Sequence, residues 1–436
     1  MKHRNWSRLI GAVILGAALV PATFAADEPA PTPAPPTAPP TETTVDPLKG
    51  FVTFKSGENS LTLGAWGQFR ATIDDKDEYD ADLAGSGFGQ PDGTSVAFAV
   101  WKLRPYLQGT VFASWLRYKF EFELGPLTTS ATSNQSNSRL TDAYVEFAKL
   151  PAATLRIGQY KVPFGLQELT SDTRQEFVDR SIANAKFAVS RDIGLMLYGS
   201  AWEKKFGYQV GVFNGAGQNN PQEDHGMLYG ARVWVDPLGE YKLAESANDD
   251  SSKHILHFGS GYRTGEVMKG TGTPLVFQHP NDESAWNFEF AWRWQRLYAM
   301  GEYFSQTDQL KNPNNLPSVD AQGYHVQFGV MVQPKHHELA LRYAMVEPDK
   351  SVANAKQTEA RLVYGYYMRG HNLKLQADIG EISYGENFAS LYAVDERSVL
   401  ALRNVSPGLE PLKRLVPLPG TSLTDLQARI QVTVAF

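Results

Sequence analysis

The length, composition and charge of the chain exclude several classes of protein. Its 436 residues include 42% hydrophobic and 20% charged side chains, which argues against a disordered polyampholyte. Cysteine is absent, which excludes disulfide scaffolds, thiolate metal centres and cysteine nucleophiles. The 37 glycines and the 12% of aromatic residues are typical of β architectures, and the net charge of −6 indicates no nucleic-acid partner.

The N-terminus has the pattern of a secretory signal peptide. Lys2 and Arg4 provide a basic start, an apolar run covers 9–20, and Ala25 is a small residue at a cleavage position. The apolar run is too short for a membrane-spanning helix. We therefore predict a cleaved signal peptide over 1–25 and secretion across the inner membrane.

A proline-rich stretch follows the signal peptide. Residues 26–49 contain few apolar side chains that could be buried, and prolines recur throughout them. Such a composition favours an extended polyproline II conformation over a folded element. We predict a periplasmic tether over 26–49 and one folded domain over 50–436.

From residue 61 onward the hydrophobic period is two, which indicates strands with one apolar and one polar face. Leu61, Leu63 and Ile73 lie on one face of the first such segment, and Gln68 and Arg70 lie on the other. The pattern predicts sixteen strands near 60–73, 95–107, 110–123, 139–148, 153–160, 193–201, 206–214, 228–236, 253–263, 285–294, 296–305, 321–333, 337–347, 357–368, 371–380 and 425–436. Many of them have the roughly 9–11 residues that a tilted membrane strand requires.

The connections between the predicted strands alternate between short and long. Residues 107–110 and 334–336 are tight turns, whereas 161–192 and 381–424 are long loops. This alternation is typical of outer-membrane barrels, and an alternating last strand that ends in an aromatic residue resembles their assembly signal. We predict an all-β, sixteen-stranded antiparallel transmembrane barrel in the lipid of a bacterial outer membrane. One connection, 237–252, is longer than the alternation allows.

The polar face of the predicted barrel carries more basic than acidic side chains. The basic residues that we expect to line the pore and contact anions are Arg70, Lys102, Arg104, Arg117, Lys119, Arg156, Arg293, Arg342 and Arg361. A channel wall of one sign enriches the counter-ion, and arginine grips oxyanions at any relevant pH. Two interpretations stay open at this point. The wall selects anions, or its arginines pair with acidic residues on neighbouring strands and only stiffen it.

The third long loop is the candidate constriction. Loops of this length are uncommon unless they are functional, and a sixteen-stranded barrel without a constriction is a wide aqueous channel. We predict that this loop folds inward and narrows the pore with its basic residues: Lys161, Arg174, Arg180, Lys186 and Arg191. The alternative is a loop that lies outside and covers the mouth.

A set of short motifs in this region resembles the phosphate-selective porin O and P family. The most specific of them spans 157–165 and reads IGQYKVPFG, and FVDRS at 177–181, RDIG at 191–194 and GVFNG at 211–215 follow in the expected order. The resemblance implies a trimeric, sixteen-stranded outer-membrane porin with an inward third loop. It also implies the passage of anions past a ladder of arginines and a cluster of lysines.

The sequence gives little support to other functions. The histidines are scattered, and the G-x-S-x-G and P-loop motifs are absent, so we expect no catalysis, metal or cofactor. We predict a porin for passive diffusion of small solutes that prefers anions or phosphate. The open alternatives are a carbohydrate or general diffusion porin for neutral solutes, and a structural barrel that tethers the envelope layers.

Overall fold

The computed structural model describes residues 42–46, 51–76, 93–125, 139–220, 226–249, 251–269, 279–310, 318–388 and 423–436. The predicted signal peptide (1–25) and most of the predicted tether (26–49) lie outside the described residues.

The described residues form a single antiparallel sheet of eighteen strands. The strands are β1 (Glu42–Asp46), β2 (Phe51–Ser56), β3 (Asn59–Lys76), β4 (Gly93–Val111), β5 (Ala113–Glu123), β6 (Arg139–Leu150), β7 (Ala153–Lys161), β8 (Arg191–Ala201), β9 (Phe206–Phe213), β10 (Leu228–Val235), β11 (Ile255–Lys269), β12 (His279–Trp294), β13 (Leu297–Leu310), β14 (Val319–Gln333), β15 (His337–Glu347), β16 (Gln357–Tyr367), β17 (Leu373–Tyr384) and β18 (Leu423–Ala435).

Sixteen of these strands close into a barrel. Strands β3 to β18 pair with their neighbours in chain order, and β18 pairs with β3 from Asp425 opposite Lys76 to Ala435 opposite Trp66. The last residue completes the seam, because the backbones of Ala65 and Phe436 exchange two hydrogen bonds of 2.7 and 2.8 Å. The predicted sixteen-stranded antiparallel barrel is therefore confirmed.

The two faces of the wall differ as expected for a barrel in lipid. Along β15, Leu341 is 60% exposed on the outside, and its neighbour Arg342 is 3% exposed on the inside. The same contrast recurs on β18 between Ile430 and Gln431. Apolar side chains face outward because hydrocarbon cannot hydrogen-bond to polar groups, whereas the interior can satisfy them.

A short hairpin precedes the barrel. Strand β1 pairs with β2. Strand β2 in turn pairs with the first residues of β3, from Val52 opposite Leu63 to Ser56 opposite Asn59. The sheet thus includes Glu42–Asp46, a segment that the sequence assigns to the tether. Five backbone pairings with β2 hold this segment in the extended strand conformation.

One predicted turn is in the wrong place. The sequence places a turn at 107–110, whereas β4 continues to Val111 and the chain reverses at Phe112, which has a φ of 63°. Gly109 does not form a turn but allows two strands to pack closely. A Cβ atom on it would lie 1.9 Å from the carbonyl oxygen of Ser60, so glycine is needed where β3 and β4 approach closely.

Two connections depart from simple turns and loops. Between β7 and β8 the chain forms helix α1 (Leu166–Leu169), a 3-10 helix (Asp172–Arg174) and helix α2 (Ile182–Phe187). Between β10 and β11, residues 236–249 and 251–254 form an irregular segment at the end of the barrel where the other connections are short. The first is the predicted third loop, and the second is the connection that the alternation could not explain.

Candidate functional site

The inner face of the wall carries the basic residues that the sequence predicts for the pore. Residues two apart on a strand share a face, so one register places every second side chain inside. All but one of the predicted wall residues are buried or half-buried there: Arg70, Lys102, Arg104, Lys119, Arg156, Arg293, Arg342 and Arg361. The exception is Arg117, which shares the face of Lys119 on β5 but is exposed.

A continuous chain of ion pairs crosses β15 to β18. Glu359 accepts from Arg342 at 2.7 Å and from Arg361 at 2.8 Å. Asp378 pairs with Arg361 at 3.3 Å and with Arg429 at 2.6 Å. The two carboxylates thus neutralise most of the charge of the three arginines, and one positive charge is left over in this part of the wall.

The third loop extends this chain across the seam of the barrel. Asp179 of the loop pairs with Arg429 on β18 and with Arg70 on β3, both at 2.7 Å. Burial alone would raise the pKa of Asp179, but the Arg70 and Arg429 guanidiniums outweigh it and hold the pKa below its usual range. Asp179 therefore remains ionised and bridges two strands.

A second cluster surrounds Arg104 on β4. This guanidinium contacts Glu123 in a short ion pair, Glu121 at 3.5 Å and Asp172 of the 3-10 helix at 3.2 Å. Asp172 also pairs with Lys102 at 3.0 Å. Two predicted pore cations thus bind a carboxylate that the loop supplies.

The remaining predicted cations of this wall are paired in the same way. Lys119 and Arg191 share Asp142, each at 2.7 Å. Arg156 pairs with Glu146 at 2.6 Å. Arg117 has no ion pair among the described residues, which makes its guanidinium different from those of its neighbours on the wall.

Local sequence explains how the third loop folds. Gly165 has a φ of 85°, a conformation that glycine adopts readily, and it redirects the chain into α1. Ser181 caps α2, because its Oγ accepts a hydrogen bond from the backbone N–H of Asn184 at 3.1 Å. Glu302 of β13 accepts from the first two N–H groups of α1, those of Leu166 and Gln167, at 2.6 and 2.9 Å.

Inward-facing side chains around the barrel hold the loop. Its backbone carbonyl groups accept hydrogen bonds from β15, where Arg342 reaches the oxygen of Asp179 at 2.7 Å. They also accept from β17, where Lys374 reaches Gln175 at 2.5 Å. These contacts with the inner wall are those expected of a segment folded into the barrel.

The basic residues predicted for the loop have different environments. Lys161 donates to the carbonyl oxygens of Glu168 and Thr170, and Arg180 pairs with Asp172 at 2.5 Å and Glu168 at 3.4 Å. Lys186 is buried at the end of α2, and Arg191 belongs to the Asp142 pairs described above. Arg174 is exposed and has no ion pair among the described residues.

The loop carboxylates were not among the residues that the sequence singled out. Burial would raise the pKa of Asp172, but Arg180, Lys102 and Arg104 outweigh it and hold the pKa well below the usual range. The pKa of Glu168 is held below its usual value in the same way, because Arg180 and Lys161 together outweigh the effect of burial. The signal was in the sequence, because the segment that holds Arg174 and Arg180 holds these acidic residues at similar density.

A cavity of about 190 Å³ lies between the loop and the wall. Its lining includes Trp101, Lys102, Asp172, Gln175, Arg180 and Asn184. The lining therefore combines an aromatic ring, two amides and charges of both signs. Such a surface can contact hydrophilic solutes without holding one sign of charge strongly.

No helix among the described residues has both the length and the apolar character needed to span a bilayer. No group of three or more His, Asp or Glu residues in the described ranges is arranged to hold a metal ion.

A closed sixteen-stranded wall with an apolar exterior and a polar interior is the architecture of an outer-membrane porin. Comparison with known families agrees, because the model of the phosphate-selective porin O and P family matches residues 58–403. The chain belongs to this family of channel proteins.

Solved structures support the fold. An anion-selective porin from Comamonas acidovorans superposes with a TM-score of 0.54 at 15% identity, covering 87% of this chain and 100% of that porin. The outer-membrane channel DcaP of Acinetobacter baumannii gives 0.53 at 11% identity, covering 88% and 99%. An uncharacterized protein of Aquifex aeolicus is 22% identical over 253 residues, which are 53% of this chain and 60% of that relative. The two solved structures are less than 25% identical to this chain and establish the fold alone.

Proposed function

We propose that this porin is a passive diffusion channel for small hydrophilic solutes, with a weak preference for anions. The observation that carries the proposal is the pairing of the interior arginines with carboxylates, as in the shared Glu359 and Asp378. Paired charges largely cancel one another's field, so the wall enriches neither sign strongly. Arg117 and Arg174 have no such partner among the described residues, and they favour anions.

Carbohydrate permeation is the second candidate. The cavity beside the third loop supports it, because Trp101 offers an aromatic surface and Gln175 and Asn184 offer amide groups. Rings and amides contact neutral polyhydroxylated solutes without requiring charge. The phosphate preference suggested by the name of the family is a third possibility that the same experiment addresses.

Single-channel recording in a planar bilayer under a salt gradient tests the function. We expect a conducting pore with a small reversal potential of the sign that indicates anion preference. A reversal potential that favours cations would contradict the anion preference. Block by an oligosaccharide but not by inorganic phosphate would favour the carbohydrate channel, and block by phosphate alone would favour phosphate selectivity. A barrel without conductance would support a structural tether.

We also propose the processing and assembly of the chain. Residues 1–25 act as a signal peptide and 26–49 as a periplasmic tether, on the basis of their composition. Glu42–Asp46, near the end of this tether, attaches it to the barrel by pairing with β2. The barrel assembles as a homotrimer, because OmpT of Vibrio cholerae, whose fold is similar, has a trimer form. The chain is a transporter of solutes and has no catalytic role.

A further inference from the structure

The connection between β10 and β11 enters the barrel from the end with short turns, which faces the periplasm in barrels of this class. The neighbouring turns fix both of its ends. The N–H of Asp236 donates to the carbonyl oxygen of Lys205 at 2.7 Å, and that of Gln295 donates to the oxygen of Ser251 at 2.9 Å. Between these anchors the chain leaves the rim, because Glu245, Ser246 and other residues of the segment are almost completely buried.

Aromatic and basic side chains of the wall hold the buried part. The hydroxyl groups of Tyr241 and Tyr298 on β13 lie 3.0 Å apart. Arg293 on β12 donates to the carbonyl oxygen of Ala244 at 2.5 Å. Tyr241 and Ala247 also pack in one apolar cluster with Leu166 of the third loop. Arg293, predicted as a pore-lining residue, is thus covered by this segment.

Glu245 joins the segment directly to the third loop. Its backbone N–H donates to the carbonyl oxygen of Arg174 at 2.9 Å. Its carboxylate accepts from the N–H of Glu176 at 2.8 Å and from the side chain of Gln167 at 3.3 Å. Gln327 of β14 donates to Glu245 at 3.0 Å and to Glu176 at 2.9 Å. The third loop and the β10–β11 segment, which enter the barrel from opposite ends, therefore meet at the buried side chain of Glu245.

The contact lies within a cluster of titratable groups. A Cβ atom on Gly329 would lie 1.9 Å from Oε1 of Glu176 and 3.1 Å from Oε1 of Glu338, so these two carboxyl groups come together above a glycine. Tyr367 donates to Glu338 at 2.6 Å. The charged and titratable groups that face the cluster are Arg174, Arg180, Glu245, Arg293, Tyr298, Arg342, Tyr367, His371 and Lys374.

We propose that residues 241–247 form a second constriction of the channel, on the periplasmic side of the third loop, and that Glu245 fixes it in place. This inference rests on the proposed channel function and extends it. The permeation path narrows twice in series, and the second narrowing sets the conductance and the size limit together with the first. The segment takes up wall surface that would otherwise face the solute, including Arg293 and Tyr298.

The test compares the wild type with a variant in which a short Asn-Gly turn replaces residues 238–253. This variant keeps Asp236 and its partner His257. We expect the single-channel conductance to rise about twofold, because two comparable constrictions in series contribute similar resistance. Larger neutral solutes should also enter liposomes that contain the variant. Unchanged conductance and an unchanged size limit in a conducting protein would overturn the proposal.

Point variants keep the test decisive if the shortened barrel fails to fold. Glu245→Ala retains the length of the segment but removes its carboxylate contacts, so we expect higher and noisier conductance. Glu240→Ala is the matched control, since Glu240 pairs with Lys204 on the exposed rim, and this substitution should leave conductance unchanged. Equal conductance of the two variants would contradict the role of Glu245. Absence of conductance in the wild type would instead contradict the channel function itself.

Discussion

The effect of an interior arginine on stability and on ion selectivity depends on whether it has a carboxylate partner. Arg361 is almost completely buried and pairs with Glu359 and Asp378, whereas Arg117 is exposed and has no carboxylate partner among the described residues. Removal of a buried arginine takes charge-assisted hydrogen bonds from its carboxylate partners, which costs more stability than loss of a solvated charge. Two arginines on one face of the wall therefore have different purposes.

This difference predicts contrasting effects of two substitutions. Arg361→Ala should lower the free energy of unfolding by about 1.5–3 kcal/mol, because its hydrogen bonds to Glu359 and Asp378 are lost while Arg342 and Arg429 still pair with these carboxylates. Arg117→Ala should change stability by less than about 0.5 kcal/mol but shift the reversal potential toward cations. Unfolding in detergent and bilayer recordings measure the two quantities. A loss of stability in Arg117→Ala, or none in Arg361→Ala, would contradict this assignment.

Sequence alone could predict which side chains face inward but not what they contact. Alternation placed Arg70, Arg342 and Arg361 on the polar face, because the period of a strand is local. Their partners come from other strands and from the third loop, as Asp179 does for Arg70. Such pairings depend on the register and on the path of the loop, and a single sequence specifies neither directly.

At the scale of elements, the two irregular connections hold one another. The loop between β7 and β8 is anchored by Glu302 at its start, and the β10–β11 segment reaches it through Glu245. The anomalous length of 237–252 was visible in the sequence. The place where it packs was not, because a segment of mixed polar and apolar residues without a strong periodicity does not indicate whether it folds over a rim or into a barrel.

The contact between these elements should weaken as the pH rises. Burial, with the neighbouring carboxyl groups of Glu338 and Glu245, raises the pKa of Glu176 well above its usual range. The folded protein thus keeps a proton that the unfolded chain loses. Stability is complete below the usual pKa of glutamate and falls as the pH rises toward the raised value, by about 1.4 kcal/mol per pH unit.

Glu176→Gln tests this dependence, because an amide resembles the protonated carboxyl group. We expect the thermal unfolding midpoint in detergent to rise at neutral pH and to match that of the wild type at about pH 3, where glutamate is protonated in both states. Glu240→Gln serves as the control, since Glu240 is exposed on the same connection as Glu245. An equal effect of Glu176→Gln at both pH values would refute the explanation.

At the scale of the whole molecule, the alternation of apolar and polar residues was sufficient to predict the barrel. Each of the sixteen predicted strands corresponds to one of β3–β18, because alternation over the length of a membrane strand is a strong signal. The hairpin of β1 and β2 was not predicted. Strand β1 follows a proline-rich stretch, and its pairing with β2 decides its conformation more than its own composition does.

Assembly provides a prediction at this scale. The outer wall exposes large apolar side chains, such as Phe98, which is 84% exposed. Lipid or a second copy of the chain covers such surfaces in a membrane. We expect native mass spectrometry or chemical cross-linking in mild detergent to detect three copies. Monomers alone, in a preparation that conducts ions, would contradict the proposed homotrimer.

The shared carboxylates limit which substitutions can change the solute preference of proteins descended from this one. Glu359, Asp378 and Asp179 each serve two arginines, so exchange of any one arginine removes a hydrogen-bonded partner from at least one of these carboxylates. A single substitution in this network therefore lowers the stability of the barrel even when it also changes which solutes pass. We expect changes of preference among descendants to arise as compensated double replacements, or at unpaired positions such as Arg117.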